Sequence, residues 1–435
     1  MLLSHDRGHR RFAAWHREGT LLKPLHIAVL GAGPIGLEAA LYAATLGHDV
    51  TVLESGHVGE SLRRWGHVKL FSPWKMNHTP LGLRALRSAG TGPAPAPDAR
   101  LTGFEHLRDY LLPLSACPPL RGRIFEEHRV VAIGKDGLLK GEKIADATRL
   151  DAPFRIMVRN ASEEKLFRAD RVLDTTGTYG CPNHLGSGGI AAPGEESSRG
   201  RISYELDDPL GRHRERYCGK RTLLVGCGYS AATSLSALRR LVEEDGKTGV
   251  LWATRSSEER PYPMIHADPL PGRAALAEDA NRIASERASG IRRLAGREIE
   301  SMRALEDGSL EVLLHSAGGE ERHQVDRILA NVGYHPDRSL YAELQVHECY
   351  ASSGPMKLAA ALLSQGSADC LSIVGQGPET LVNPEPGFFI LGSKSYGRNS
   401  AFLLRAGFEQ VRDVFRLIQG RSELDLYASS AISQV

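Results

Sequence analysis

Gly31-Ala-Gly33-Pro-Ile-Gly36 follows a short β-forming run, His26 to Leu30, and opens an Ala- and Leu-rich stretch, Leu37 to Leu46. Gly47 ends that stretch, Asp49 to Leu53 alternates as a second strand, and Glu54 closes it. Few folds accommodate this order. Strand, glycine turn, helix, strand and terminal acid make up the βαβ unit that carries a dinucleotide. Gly31 permits a tight turn, Gly33 lets the backbone approach a pyrophosphate, and Gly36 lets the helix pack closely on the sheet. Ala32, Pro34 and Ile35 complete the loop, and the helix start directs free N–H groups at the phosphates. Glu54, with Ser55 beside it, is placed to accept hydrogen bonds from a ribose diol.

The pattern recurs. Thr222 to Val225 reads as a strand, followed by Gly226-Cys-Gly228-Tyr229-Ser230-Ala231 and a helix to about Glu244. Ala231 stands in the place of the third glycine, which the motif allows. The next strand, Val250 to Ala253, ends in Thr254-Arg255-Ser256. No carboxylate stands at that strand end. The Arg255 guanidinium instead offers a planar fork to a 2′-phosphate, which favours NADPH over NADH; the plain alternative is an arginine that solvates a strand end. Between the two units, Asp170 to Asn183 runs an apolar strand into Thr175-Thr176-Gly177 and then Pro182. Asp326 to Asp337 echoes it, with Gly333 and Pro336. Such turns let the backbone pass close to a cofactor or cross between domains.

Together these residues resemble the two-dinucleotide-binding-domain flavoproteins, the group holding the flavin-containing monooxygenases and thioredoxin reductases, over about residues 25–420. The resemblance implies an α/β fold of two Rossmann-like dinucleotide-binding domains, with the NADPH domain inserted into the FAD domain. The FAD-binding domain is expected over residues 25–185 and 330–420 and the NAD(P)H-binding domain over 215–325, with tails at 1–24 and 422–435. FAD is expected on the first glycine loop and NADPH on the second. The same resemblance adds Trp65, Val130, Thr176, Gly177, Gly333, Gly392 and Ser393 to the cofactor-binding set. Phe388-Phe-Ile-Leu391 runs into Gly392-Ser393 where the family has Gly-Asp, so Ser393 replaces the acid. A helix starting near Ser400 is expected to aim its positive end at the flavin. The monooxygenase signature FxGxxxHxxx(Y/F), expected before the second glycine motif, is absent, and Gly200 to Asp208 stands there instead. The strings Trp65-Gly-His-Val, Phe71-Ser-Pro-Trp74 and Lys394-Ser-Tyr-Gly397-Arg398 look like a bacterial branch of the group.

The cysteines bear on the chemistry. Six are scattered at 117, 181, 218, 227, 349 and 370. A dithiol reductase needs two thiols that can exchange, usually spaced CxxC or CxxxxC. The nearest pair here, Cys218 and Cys227, is nine apart, which disfavours that chemistry. Cys349, in His347-Glu-Cys-Tyr350, reads as an isolated thiol or, more plainly, a small buried hydrophobe. Without a dithiol, hydride from NADPH must reach oxygen or a substrate directly. The monooxygenase route keeps a flavin hydroperoxide in a dry pocket and passes one oxygen to a nitrogen or sulfur of a small molecule. Phe71, Trp74, Tyr396 and Arg398 are the candidate substrate residues, although aromatic side chains serve a core equally well; no catalytic residue stands out. Two alternatives stay open: a reductase or dehydrogenase passing electrons to a small acceptor or protein partner, and a nucleotide-sensing flavoprotein without turnover.

Composition narrows the rest. With 41% apolar and 24% charged residues and a net charge of +2 over 435 residues, neither disorder nor a nucleic-acid partner fits. No uninterrupted apolar run of ~18 residues predicts a membrane span, and no secretion signal is read at the N-terminus, so a cytoplasmic location is expected. The basic run Arg7 to Arg17 reads as a solvated leader. His5 and His9 form an HxxxH pair without a third ligand, so no metal site is expected. Residues 89–99 read as a flexible loop, and the charged stretch Ser257 to Ala304 as a surface helix, with a lid over the nicotinamide site as the alternative. The oligomeric state is left open, a homodimer included.

Overall fold

The computed structural model describes residues 23–266, 268–286, 290–364 and 376–428. The basic leader, the His5–His9 pair and Cys370 lie outside these residues. The chain begins with β1 (His26–Leu30), crosses the Pro34–Thr45 helix and returns in β2 (Asp49–Leu53), with β3 (Ile124–Phe125) beyond it. An antiparallel meander follows, β4 (Arg129–Lys135), β5 (Phe154–Arg159) and β6 (Glu164–Ala169), and β7 (Arg171–Asp174) then comes back beside β1. Next come β8 (Ile202–Ser203), β9 (Arg221–Val225), the Tyr229–Glu244 helix, β10 (Gly249–Thr254), the Pro271–Ser285 helix and β11 (Ile291–Ala295). A second meander, β12 (Glu298–Ala304), β13 (Leu310–Ser316) and β14 (Gly319–Val325), leads to β15 (Arg327–Ala330). β16 (Phe388–Ile390) and the Leu404–Gln419 helix close the described chain.

The strands assemble into two five-stranded parallel sheets, ordered β16-β7-β1-β2-β3 and β11-β10-β9-β15-β8. Both are built as three layers, and strand alternation explains why. In β1, Ile27 and Val29 face the Pro34–Thr45 and Leu404–Gln419 helices, packing with Leu37, Leu41, Val411 and Phe415. Ala28 and Leu30 face the other way, onto Val130, Ile133, Phe154 and Ile156 of the meander. In the second sheet Leu224, Trp252 and Leu329 meet the helices, at Leu235, Leu238 and Ala280. Leu223, Ala253 and Ile328 meet the second meander, at Ile299, Val312 and Leu314. Strands buried on both faces read as near-continuous apolar runs, as these do. The chain is thus an α/β protein of two Rossmann-like units.

The second unit enters and leaves through one place. The two crossing segments pair with each other: Asn183 N–H donates to Gly333 O at 3.0 Å and His335 N–H to Cys181 O at 2.9 Å. Asp170 and Asp326 play matching parts, each accepting from the first N–H of the neighbouring strand, His26 at 2.8 Å and Arg221 at 2.7 Å. β16 then rejoins the first sheet on the far side of β7.

Two sequence expectations change here. The stretch from Ser257 to Ala304 is more than a surface helix: its Pro271–Ser285 helix buries Ala277, Ala280 and Ile283 against the second sheet, and β11 and β12 follow it. Residues after 422 do not leave the body of the protein at once. Leu424 and Leu426 are buried, and Leu426 N–H donates to the Tyr42 hydroxyl at 3.0 Å. Their apolar side chains find a groove beside the first-unit helix that local polarity does not reveal.

Candidate functional site

A long cleft of about 620 Å³ runs along the carboxyl ends of the first sheet, where open α/β sheets bind their ligands. Gly31, Gly33, Pro34 and Ile35 line one end, with Glu54 and Ser55 beside them and Arg129 and Val130 from the meander. Gly36 stands behind this wall. A Cβ there would come within 1.9 Å of Gly31 O, so the helix seats against the turn only because the side chain is a hydrogen. Glu54 is buried and already accepts from Ala32 N–H at 2.7 Å and Gly56 N–H at 2.8 Å. The Ser55 hydroxyl also donates to Glu54 Oε1, at 3.3 Å, so Oε2 is the oxygen that keeps a further lone pair for a ligand.

The other end of the cleft is formed by Thr176 and Gly177 after β7, Gly392 and Ser393 after β16, and Leu403 and Leu404. The last two start the Leu404–Gln419 helix, so free N–H groups and the positive end of its dipole point toward this wall. That start lies a few residues beyond Ser400, because Ser400 to Leu403 stay extended or irregular.

A second cavity, about 190 Å³, lies between the two units and shares Ser61, Arg64, Trp65, Leu70, Phe71 and Tyr179 with the cleft. Tyr229 and Ser230, at the start of the Tyr229–Glu244 helix, and Gly333 complete its wall. Gly226 and Ala231 sit behind them. A Cβ on Gly226 would come within 2.2 Å of Asn331 O, which ties this glycine to the close passage of the chain after β15. Gly228 caps the helix start. Phe71 of the first unit meets Tyr229 of the second edge to face, ring centroids 5.5 Å apart. Arg212 bonds the carbonyls of Arg63 and Arg64, and Arg64 pairs with Glu205 at 3.3 Å, so the units are also clamped beside the cavity.

Arg255 lies outside both cavities, exposed just past β10, and has no side-chain partner among the described residues. Arg293, from β11, braces the same turn by donating to Thr254 Oγ1, Ser256 O and Glu259 O at 3.1 to 3.3 Å.

Three candidate substrate residues are not in the cleft. Trp74 is buried in the core, stacked on His78 at 4.5 Å and edge-on to Tyr110 at 5.3 Å. Tyr396 is buried against Phe402. Arg398 is exposed and donates to Asn183 Oδ1 at 3.1 Å, bracing the crossing segment. A large ring fills a core and a pocket equally well, and only long-range packing separated these from Trp65 and Phe71.

Other lining residues were not anticipated. Tyr179 and Cys181 belong to the same junction as Gly177, and that proximity was the available signal. Burial pushes the Cys181 thiol upward from its ordinary pKa. His106 has no local signal at all. It is buried, its Nε2 meets Asn77 O at 2.9 Å, and burial pushes its pKa down to about 4, so it is neutral near pH 7. Cys349 is buried in a turn away from both cavities, where the Ser352 hydroxyl and backbone N–H groups hold its thiol below the ordinary value. No cluster of three metal-ligating side chains occurs among the described residues, and no helix among them is long and apolar enough to cross a membrane.

A family model described as pyridine nucleotide-disulphide oxidoreductase matches residues 28–135. No curated protein matches the chain. Among solved structures, a bacillithiol disulfide reductase from Bacillus cereus is similar at 18% identity and a TM-score of 0.65, over 92% of this chain and 100% of that one. The cadaverine monooxygenase of the desferrioxamine pathway from Erwinia amylovora, solved bound to FAD, is similar at 14% identity and 0.61, over 92% and 95%. A thioredoxin reductase from T. acidophilum follows at 16% and 0.56, over 91% and 98%. The chain has the fold of the two-dinucleotide-binding-domain flavoproteins.

Proposed function

We propose that the protein is an FAD-dependent oxidoreductase that takes hydride from NADPH and oxygenates a nitrogen or sulfur of a small molecule. The observation that carries this reading is the junction of the two cavities. One follows the first glycine loop, the other starts at the second, and both end on Trp65, Phe71 and Tyr179. Dinucleotides lying one in each would meet at a single aromatic wall. The long cleft fits FAD: Gly33 leaves open space where a pyrophosphate would approach, Glu54 faces the ribose position, and two helix starts supply N–H donors. Bound there, FAD would supply the hydride acceptor and the oxygen chemistry. The protein's part is to orient, and to exclude water with Trp65, Leu70 and Phe71.

The cysteines favour oxygenation over disulfide exchange. Cys117 is in the core, Cys218 meets Asp245, and Cys227 meets Pro261 O. Among the described residues Cys181 is the one cysteine that lines the long cleft, and this favours the second reading, a reductase using one thiol. The two are separable. With oxygen present, an amine or thioether panel should raise NADPH consumption and oxygen uptake together, and Cys181→Ala should retain that coupling. NADPH consumption that needs a disulfide and Cys181, but no oxygen, would overturn the proposal in favour of the reductase.

Two further results are expected. Glu54→Ala should loosen FAD by about ten- to a hundredfold, as the loss of a charged acceptor worth about 1.5–3 kcal/mol requires; equilibrium dialysis against FAD measures it, and unchanged retention would refute the role. Arg255→Ala should raise the KM for NADPH by about tenfold or more and leave NADH kinetics nearly unchanged, since only NADPH carries the 2′-phosphate. A wild-type protein that uses NADH better would reverse that assignment.

A further inference from the structure

At the carboxyl end of the first sheet β7 and β16 lie side by side, and each hands the chain to a turn that lines the long cleft. Beneath those turns lies a lysine with no solvent exposure. Lys394 Nζ donates to Asp174 Oδ2 at 2.6 Å, and the side chains of both residues are fully buried. It also donates to Thr176 Oγ1 at 3.0 Å, and it lies 5.1 Å from the centre of the Tyr341 ring. Thr176 in turn gives its hydroxyl proton to Asp174 Oδ1 at 2.7 Å and its N–H to the same oxygen at 3.1 Å.

We propose that Lys394 is a positioning residue for the flavin: with Asp174 it locks the Thr176 hydroxyl so that the cleft wall presents an acceptor there. The step rests on the FAD reading of the cleft. A hydroxyl has one proton and two lone pairs. The proton is committed to Asp174 and one lone pair to Lys394, which leaves a single lone pair. A donor on the cofactor, a ribityl hydroxyl or a ring N–H, is accepted at that point; an acceptor is repelled. The lysine directly follows Ser393, so a buried cation stands next to a second residue of the cleft wall. Stability is a weak reason for the pair, because well-packed apolar side chains often replace a buried ion pair without loss.

The test uses protein stripped of flavin and titrated with FAD, reading flavin fluorescence, alongside thermal unfolding. Thr176→Val keeps the ion pair and removes the lone pair. It should weaken FAD about tenfold at a near wild-type melting temperature, and Thr176→Ser should restore binding. The double variant Lys394→Met with Asp174→Leu should stay folded and still bind FAD about tenfold more weakly. Wild-type affinity in Thr176→Val would overturn the proposal, and Thr176→Val decides the matter if the double variant does not fold. If stripped wild-type protein takes up no FAD, the FAD reading itself fails and this proposal with it; the two failures are therefore distinguishable.

Discussion

Replacing Arg149 with methionine is expected to destabilise the folded protein by about 3–5 kcal/mol, because it leaves the Glu385 carboxylate buried without its partner. Both side chains are fully buried, and the guanidinium grips the carboxylate through two bonds, at 2.7 and 3.1 Å. Its remaining nitrogen donates to Leu139 O and Glu142 O, at 3.1 and 2.7 Å. Gln345 adds bonds to Lys140 O and Glu142 O. The excursion between β4 and β5 has little regular structure, so these two side chains satisfy carbonyls that a strand partner would otherwise take. Urea unfolding should show the loss. The paired change, Arg149→Met with Glu385→Leu, should recover most of it, since the penalty comes from the orphaned charge. A double variant as weak as the single would show that the bonds to the excursion, rather than the ion pair, hold this region.

A second large effect depends on pH. Glu38 lies in the Pro34–Thr45 helix, fully buried, with one oxygen accepting from Thr79 Oγ1 at 2.9 Å and the other unpartnered among the described residues. Burial pushes its pKa from 4.5 up to about 7. A carboxyl raised in the folded state gives stability that is fully present below pH 4.5 and is lost as the pH climbs through about 7. Across that window the loss amounts to roughly 3 kcal/mol. Glu38→Gln keeps the Thr79 bond and cannot ionise. It should match wild type near pH 4.5, exceed it by up to about 3 kcal/mol at pH 8, and flatten the dependence between. Urea midpoints at the two pH values measure this. Equal slopes in both proteins would show that Glu38 is not the group responsible.

The glycine loops, their flanking strands and the inserted order were readable because their information is local: a spacing of glycines, a run of β-formers, a terminal acid. Gly36 and Gly226 each meet a backbone carbonyl that no side chain could approach. The meanders were not readable in the same way. Glu298–Ala304 and Gly319–Val325 carry many charges on their solvent faces, and a register shift between Ile299 and Ser301 sets the buried Ile299 and Met302 three apart, a spacing easily mistaken for helical. The aromatic assignments divided for a related reason. Trp65 and Phe71 line the cavities, whereas Trp74 and Tyr396 fill core, and the difference is set by His78, Tyr110 and Phe402 packing against them. The Lys394–Asp174 pair joins residues from opposite sides of the inserted unit, and no window along the chain contains both.

The placement of β16 beside β7 also orders events in time. On the ribosome, the edge of β7 waits from Asp174 until Phe388 has been made, roughly 10–40 s at about 5–20 residues per second. By then all five strands of the second sheet have been synthesised. Until Phe388 arrives, Val172 and Leu173 present an unpaired apolar edge, the kind of edge that invites pairing with another chain. A nascent chain stalled just short of Phe388 therefore carries a complete second sheet beside a first sheet still open on one side.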